Sequence, residues 1–248
     1  MASIPPVNYA VGDRLQWFAF SINVSMHFTQ VPLMRAMLAD NDAASLARYS
    51  TLPSLLQCAA CGMWLAYAVF VFPSNALVAN NAVGLALSLY YIACFTYKRS
   101  TLVGKAIVAS SWLFCLAITL IIYGVLFSAA YPTRDSWASA LTTAITAILW
   151  ASPLAAMREA AKDLDDSRVP LPLTLIMLST TTAWLAVGVL VGDLTLIVCS
   201  VIGVFFSSLQ VCVYLWIKLQ KQRESVKKEA SSSAAVEADG AVAAIVGL

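Results

Sequence analysis

Apolar runs of membrane length alternate along the chain with short polar breaks. The runs fall at 15–34, 49–71, 76–97, 106–127, 136–157, 170–191 and 194–217. Each is long enough, as a helix rising about 1.5 Å per residue, to cross a hydrocarbon core about 30 Å thick. The breaks carry turn formers and charge: Asp40 and Asp42 after the first run, Pro73-Ser74-Asn75 after the second, Lys98-Arg99 after the third. Pro132, Arg134 and Asp135 follow the fourth run, a mixed-charge loop at 158–169 the fifth, and Gly192-Asp193 the sixth. The pattern predicts an all-α membrane protein with seven crossings.

The polar positions inside the runs are not scattered. Pro53, Trp64, Asn81 and Gly84 are answered about 120 residues later by Pro170, Trp184, Ser200 and Gly203, and Pro32 by Pro153. The fourth run has no counterpart of this layout and reads as a linker that returns the chain to the other face. The predicted organisation is an N-terminal segment at 1–14, a three-helix repeat at 15–97, a linker region at 98–135, a second three-helix repeat at 136–217 and a disordered tail at 218–248. Both repeats run in the same orientation, giving a 3+1+3 layout. An amide such as Asn81 at membrane depth is costly unless it faces a partner, a cavity or a ligand. A polar group in each copy points to a cavity between the copies.

Composition agrees: 60% of residues are hydrophobic and 11% charged, and the mean hydropathy is +0.80. The placement of the basic residues is more informative than the net charge of +2. The segments after runs one, three, five and seven hold all the Lys and Arg except Arg14 and Arg134. By the positive-inside rule the N-terminus is then outside and the C-terminus cytoplasmic. Residues 1–13 lack the basic start and cleavage site of a secretory signal, so the first run is expected to be retained. The six cysteines all lie in apolar runs and read as small hydrophobes rather than a disulfide framework, Cys58-x-x-Cys61 included. With His27 the lone histidine and no Cys–His cluster, no metal site or cofactor is expected, and no stretch is basic and aromatic enough to suggest nucleic acid.

The repeat, the prolines, Trp64-x-x-Tyr67, Asn81-x-x-Gly84 and Ala151-Ser152-Pro153-Leu154 together resemble the SWEET sugar transporters of the MtN3/saliva family, over roughly residues 16–217. That resemblance implies facilitative transport of a mono- or disaccharide by alternating access, and homo-oligomers; the membrane is expected to be the plasma membrane, with an internal membrane as the alternative. It implies that Asn81 and Ser200 face the sugar across a pseudo-two-fold, with Trp64 and Trp184 packing on its faces. It further implies a cytoplasmic gate around Pro32, Pro53, Pro153 and Pro170 and an outer gate pairing Tyr67 with Asp193. The chain departs from the family at Ser200, where asparagine is usual, and at Cys199, where proline is common. His27 and Gln30 have no counterparts in the second copy and fall outside the expected site.

Proton-coupled carriers need a titrating group at membrane depth, and every Asp and Glu here lies in a loop, a terminus or a span edge, so a uniporter is expected. Two rivals stand beside this reading: a PQ-loop-type transporter of another small polar solute such as an amino acid, with Ser200 in its favour, and a seven-helix receptor. A retinal protein would need a lysine in the last run, which has none. An enzyme is disfavoured because no nucleophile–base constellation lies at membrane depth.

Overall fold

The structure, a computed structural model, describes residues 9–39, 52–98, 133–166, 169 and 171–246, with scattered positions between 105 and 130. Its helices, in chain order, are α1 (Tyr9–Phe28), α2 (Val31–Ala39), α3 (Leu52–Phe70), α4 (Asn75–Lys98), α5 (Thr133–Ala151), α6 (Leu154–Asp163), α7 (Leu171–Val191) and α8 (Leu194–Val246). Among the described residues, α3, α4, α7 and the 194–227 part of α8 are long and apolar enough to cross a membrane. The linker run lies mostly outside the described residues. The remaining pair, α1 and α5, are 20 and 19 residues long and less apolar. These are the first helices of the two copies, and both carry polar side chains into a cavity.

The packing repeats the chain's internal copy. In the first copy α4 packs on both α1 and α3, and α2 packs on α4; in the second, α8 packs on both α5 and α7, and α6 packs on α8. Between the copies α1 meets α7 and α3 meets α5. Exchanging α1–α4 for α5–α8 maps this set of pairs onto itself, as a pseudo-two-fold requires. The parallel repeats inferred from Pro, Trp and Gly spacing are therefore present as tertiary structure.

Local chemistry places the breaks. The predicted first and fifth spans are each interrupted, at Thr29-Gln30 and at Ser152-Pro153, and begin earlier than expected, at Tyr9 and Thr133. Proline has no N–H to continue a helix and its ring clashes with the carbonyl four residues back, so Pro32 and Pro153 force the interruptions. Hydroxyls take up freed carbonyls: Thr29 Oγ1 donates to Met26 O at 2.6 Å and Ser152 Oγ to Leu149 O at 2.7 Å. The two hairpin turns are also matched. Ser74 Oγ accepts the Leu77 N–H at 3.1 Å to start α4, and Asp193 Oδ1 accepts the Leu196 N–H at 2.8 Å to start α8. Gly192 before Asp193 has φ +72°, a left-handed conformation that glycine adopts without penalty.

One expectation is corrected. The tail at 218–248, read as disordered, is helical through Val246 as a continuation of α8. Its alanines, glutamates and lysines are strong helix formers and no proline follows Pro172, so nothing local stops the helix leaving the membrane-length segment. At that end Asp166 bonds Lys218 at 2.8 Å and also Lys221, tying the α6–α7 loop to α8. Those two ammonium groups hold the Asp166 carboxyl well below the usual carboxylate range. Met157 and Ala160 of α6, Val169 and Ile217 form a small core beneath the ion pairs.

Candidate functional site

A cavity of about 290 Å³ lies between the copies. Asn81, Ser200, Trp64 and Trp184, the four residues expected to face a substrate, all line it. Pro53 and Pro153 line its far end, while Pro32 is exposed on α2 and is not part of the wall. Pro170 lies outside the described residues. Of the three described prolines of the expected gate, Pro53 and Pro153 share the cavity wall and Pro32, after the turn at Thr29-Gln30, does not.

At the other end the copies are in direct contact. Tyr67 OH donates to Asp193 Oδ2 at 2.6 Å, the pair expected to form the outer gate. Around it Ala19, Ala68, Leu77, Ala183, Trp184, Val187 and Leu196 form a buried cluster that joins α1, α3, α4, α7 and α8. A second bond, from Ser74 Oγ to Gln16 Oε1, ties the first hairpin turn to α1 at the same end. The cavity therefore stops at Tyr67–Asp193 and extends toward Pro53 and Pro153.

Within the wall, Trp64 Nε1 donates to Thr146 Oγ1 at 3.0 Å, fixing the indole against the opposite copy. Asn81 Nδ2 donates to Leu77 O at 2.8 Å on its own helix. Cys199, which stands beside Ser200, donates to Thr143 Oγ1 at 3.6 Å, so α8 is fastened to α5 by a side chain rather than a proline ring. Close helix approach is bought by the paired glycines: a Cβ at Gly84 would lie 2.6 Å from Cys61 Sγ and 2.7 Å from His27 Nε2, and one at Gly203 would lie 2.4 Å from Thr181 Cγ2. Cys61 and Thr181 sit one turn before Trp64 and Trp184 in their copies, so the same contact is made twice.

The structure also brings in residues the sequence reading left out. Asn23, His27, Gln30, Gln57, Asn80, Thr146, Ser152, Thr180, Thr181 and Gln210 line the same cavity. Asn23, His27 and Gln30 are spaced for one face of a helix, a signal available in the sequence but outweighed by the lack of a repeat partner. No Asp, Glu, Lys or Arg is among the lining residues described. Burial leaves several of the polar atoms without a protein partner: Asn23 Oδ1, His27 Nε2, Asn80 Oδ1, Thr180 Oγ1 and Gln210 Nε2. An unpaired buried polar atom typically costs about 1–3 kcal/mol, so this set is expensive to keep without a partner.

A two-copy helical membrane protein with a cavity between the copies, largely apolar and carrying uncharged polar groups among its described lining residues, is the architecture of a small-solute carrier. Comparison with known proteins is more specific. Residues 13–101 and 137–222 match the family model described as "Sugar efflux transporter for intercellular exchange". The chain belongs to that family, the SWEET transporters. It is 24% identical over 221 residues to the bidirectional sugar transporter SWEET2a of Sorghum bicolor, covering 88% of this chain and 87% of that one. It is 23% identical over 200 residues to the bidirectional sugar transporter NEC1 of Petunia hybrida, covering 77% and 72%. A solved eukaryotic SWEET transporter superposes with a TM-score of 0.73 at 17% identity, covering 84% of this chain and 99% of that one. The seven-helix 3+1+3 fold expected from the sequence is the fold of this multi-pass membrane protein.

Proposed function

We propose that the chain moves sugars across a membrane down their gradient by alternating access. The observation that carries this reading is the cavity itself: it is shared by both copies, rich in hydroxyl and amide groups, bounded by Trp64 and Trp184, and free of charged side chains among the described residues. A sugar offers hydroxyls to groups that both donate and accept, and C–H faces to indoles. A zwitterionic amino acid is commonly held by ion pairs as well, and no charged side chain is among the described lining residues. The related proteins named as bidirectional sugar transporters support the same reading. Membership of a transporter family makes the role passage.

In this reading Asn81 and Ser200 hydrogen-bond the sugar from opposite copies and Trp64 and Trp184 pack against its faces. Tyr67–Asp193 is the outer gate, and Pro32, Pro53, Pro153 and Pro170 form the inner one. The N-terminus faces outside the plasma membrane and the chain works as a homo-oligomer. The test is uptake of labelled glucose, fructose and sucrose into cells lacking their own carriers, with Asn81→Ala as control. Uptake lost in the control is expected. Uptake of none of the three by wild-type protein at the cell surface would refute the sugar reading, and sugar-driven proton entry abolished in His27→Ala would refute uniport.

A further inference from the structure

The family-matched positions account for only part of the polar wall. In the first copy three further side chains converge on the cavity, and each is more than nine-tenths buried with an unpartnered atom: Asn23 Oδ1, His27 Nε2 and Asn80 Oδ1. Their convergence follows from helix geometry. Asn23 and His27 are four residues apart on one face of α1, and Asn80 and Gly84 are four apart on one face of α4. The two helices run in the same direction, with Gln16 beside Ser74 at one level and His27 against Gly84 further along. Asn23 therefore stands level with Asn80, one turn from His27. Tyr91 OH donates to the His27 carbonyl at 2.8 Å and fixes the α1 backbone at this point. Gly84 leaves the room the imidazole occupies, and Gln57, by contrast, is engaged with Cys61 Sγ at 3.2 Å.

We infer that Asn23, His27 and Asn80 form a hydroxyl-binding subsite for the transported sugar, with His27 Nε2 at its centre, making His27 a specificity-determining residue peculiar to the first copy. The inference rests on the sugar reading and deepens it. Amides and a neutral imidazole can each donate to and accept from a hydroxyl, and together they present several such groups within one helical turn. The second copy has no imidazole to match, so the sugar is held in one orientation, its hydroxyl-rich edge toward α1 and α4. This supplies polar contacts that Ser200, with a single hydroxyl, gives up relative to an amide.

The experiment is a group-deletion cycle in the full chain. Uptake of glucose and of its 2-, 3- and 6-deoxy analogues is measured for wild type, His27→Leu and His27→Gln at matched surface levels. Wild type is expected to carry at least one deoxy analogue roughly 10-fold less efficiently than glucose, since a buried group left unpaired by the missing hydroxyl costs affinity. His27→Leu should raise KM for glucose by roughly 10-fold and erase that discrimination, while His27→Gln, which keeps a polar atom near Nε2, restores it. Discrimination and KM unchanged in His27→Leu overturn the inference and leave the sugar reading intact, as does an equal loss of Vmax for every analogue with KM unmoved. A wild type that carries glucose and all its analogues equally overturns it too. If no sugar at all is carried, both readings fall. Should His27→Leu not reach the membrane, Asn80→Leu, on the facing helix, runs the same cycle with the same deciding outcomes.

Discussion

Among the polar side chains of the cavity wall, the first copy gives chiefly amides and an imidazole, Asn23, His27, Gln30, Gln57, Asn80 and Asn81, beside Thr29 and Trp64; the second gives chiefly hydroxyls, Thr146, Ser152, Thr180, Thr181 and Ser200, beside Trp150, Trp184 and Gln210. Yet the frames that hold these walls match pair for pair: the same helix contacts, the same interruption ahead of the second segment, the same capped hairpin turn and the same glycine against the third helix's neighbour. The comparison separates two demands. Rocking one copy against the other needs matched backbones, because packed interfaces tolerate little change in shape. The wall has only to match a solute, and a sugar is itself unsymmetrical. The two copies thus share their backbone frame while their polar side chains toward the cavity differ.

Substitutions that strike the two copies at matched positions test this directly. The largest effect is expected from Asn81→Ala, which should abolish sugar uptake with the protein still at the cell surface; Ser200→Ala should reduce uptake less, and Ser200→Asn should keep or raise it. Equal losses from Asn81→Ala and Ser200→Ala would mean that the two walls contribute alike. Next, Gly84→Ala and Gly203→Ala should each destabilise the protein by about 1–3 kcal/mol through overpacking, read as a lower Tm in detergent. Gly84→Ala, whose methyl group meets His27 as well as Cys61, should also alter KM for sugar, and by more than Gly203→Ala, whose methyl group meets Thr181 and Trp150. A KM change of the same size in Gly203→Ala would erase the distinction between frame and wall.

Tyr67→Phe removes the bond to Asp193 that joins the copies at the closed end. Hydrogen bonds to a charged group contribute about 1.5–3 kcal/mol, so the closed state should lose roughly 10-fold or more in population. Labelling of Cys199 by a membrane-impermeant thiol reagent, in a background with the other cysteines replaced by alanine, should rise accordingly; unchanged labelling would show that the apolar cluster closes this end alone. The smallest effect is at Asp166. Its carboxyl is depressed by Lys218 and Lys221, so whatever stability the contact gives is present above the ordinary carboxylate pKa of about 4 and is lost as pH falls through the lower folded value. The Tm gap between wild type and Asp166→Asn should be small, constant near neutrality, narrower in high salt, and closed only in strong acid.

Helical spans and the repeat were legible in the chain because lipid imposes one requirement everywhere: backbone groups must be satisfied within the helix and side chains must be apolar unless they face something else. The exception to that rule marked Asn81, the repeat and the family resemblance placed Ser200, Trp64 and Trp184 beside it, and all four line the cavity. Tyr67 and Asp193 were matched by resemblance and meet at 2.6 Å. Asn23, His27, Asn80 and Gln210 were not recognised, since their claim depends on which face of each helix turns inward, and that is settled by the contacts of α1 with α4 and of α5 with α8. The helical tail was missed for a different reason: its polar composition was weighed against burial, although a helix of alanine, glutamate and lysine needs no buried face to persist from an existing helical end.

The amino-acid order by itself determined the apolar runs, the doubling of the unit and the polar positions that lipid would not tolerate. Those follow from local periodicity and transfer energy. Tertiary structure alone decided that the first spans bend so that Pro32 leaves the wall, that Gly84 opens a place for His27, and that three buried side chains of the first copy share one edge of the cavity. Each of these depends on distances between helices, and such distances are set only when close-packed side chains choose one arrangement.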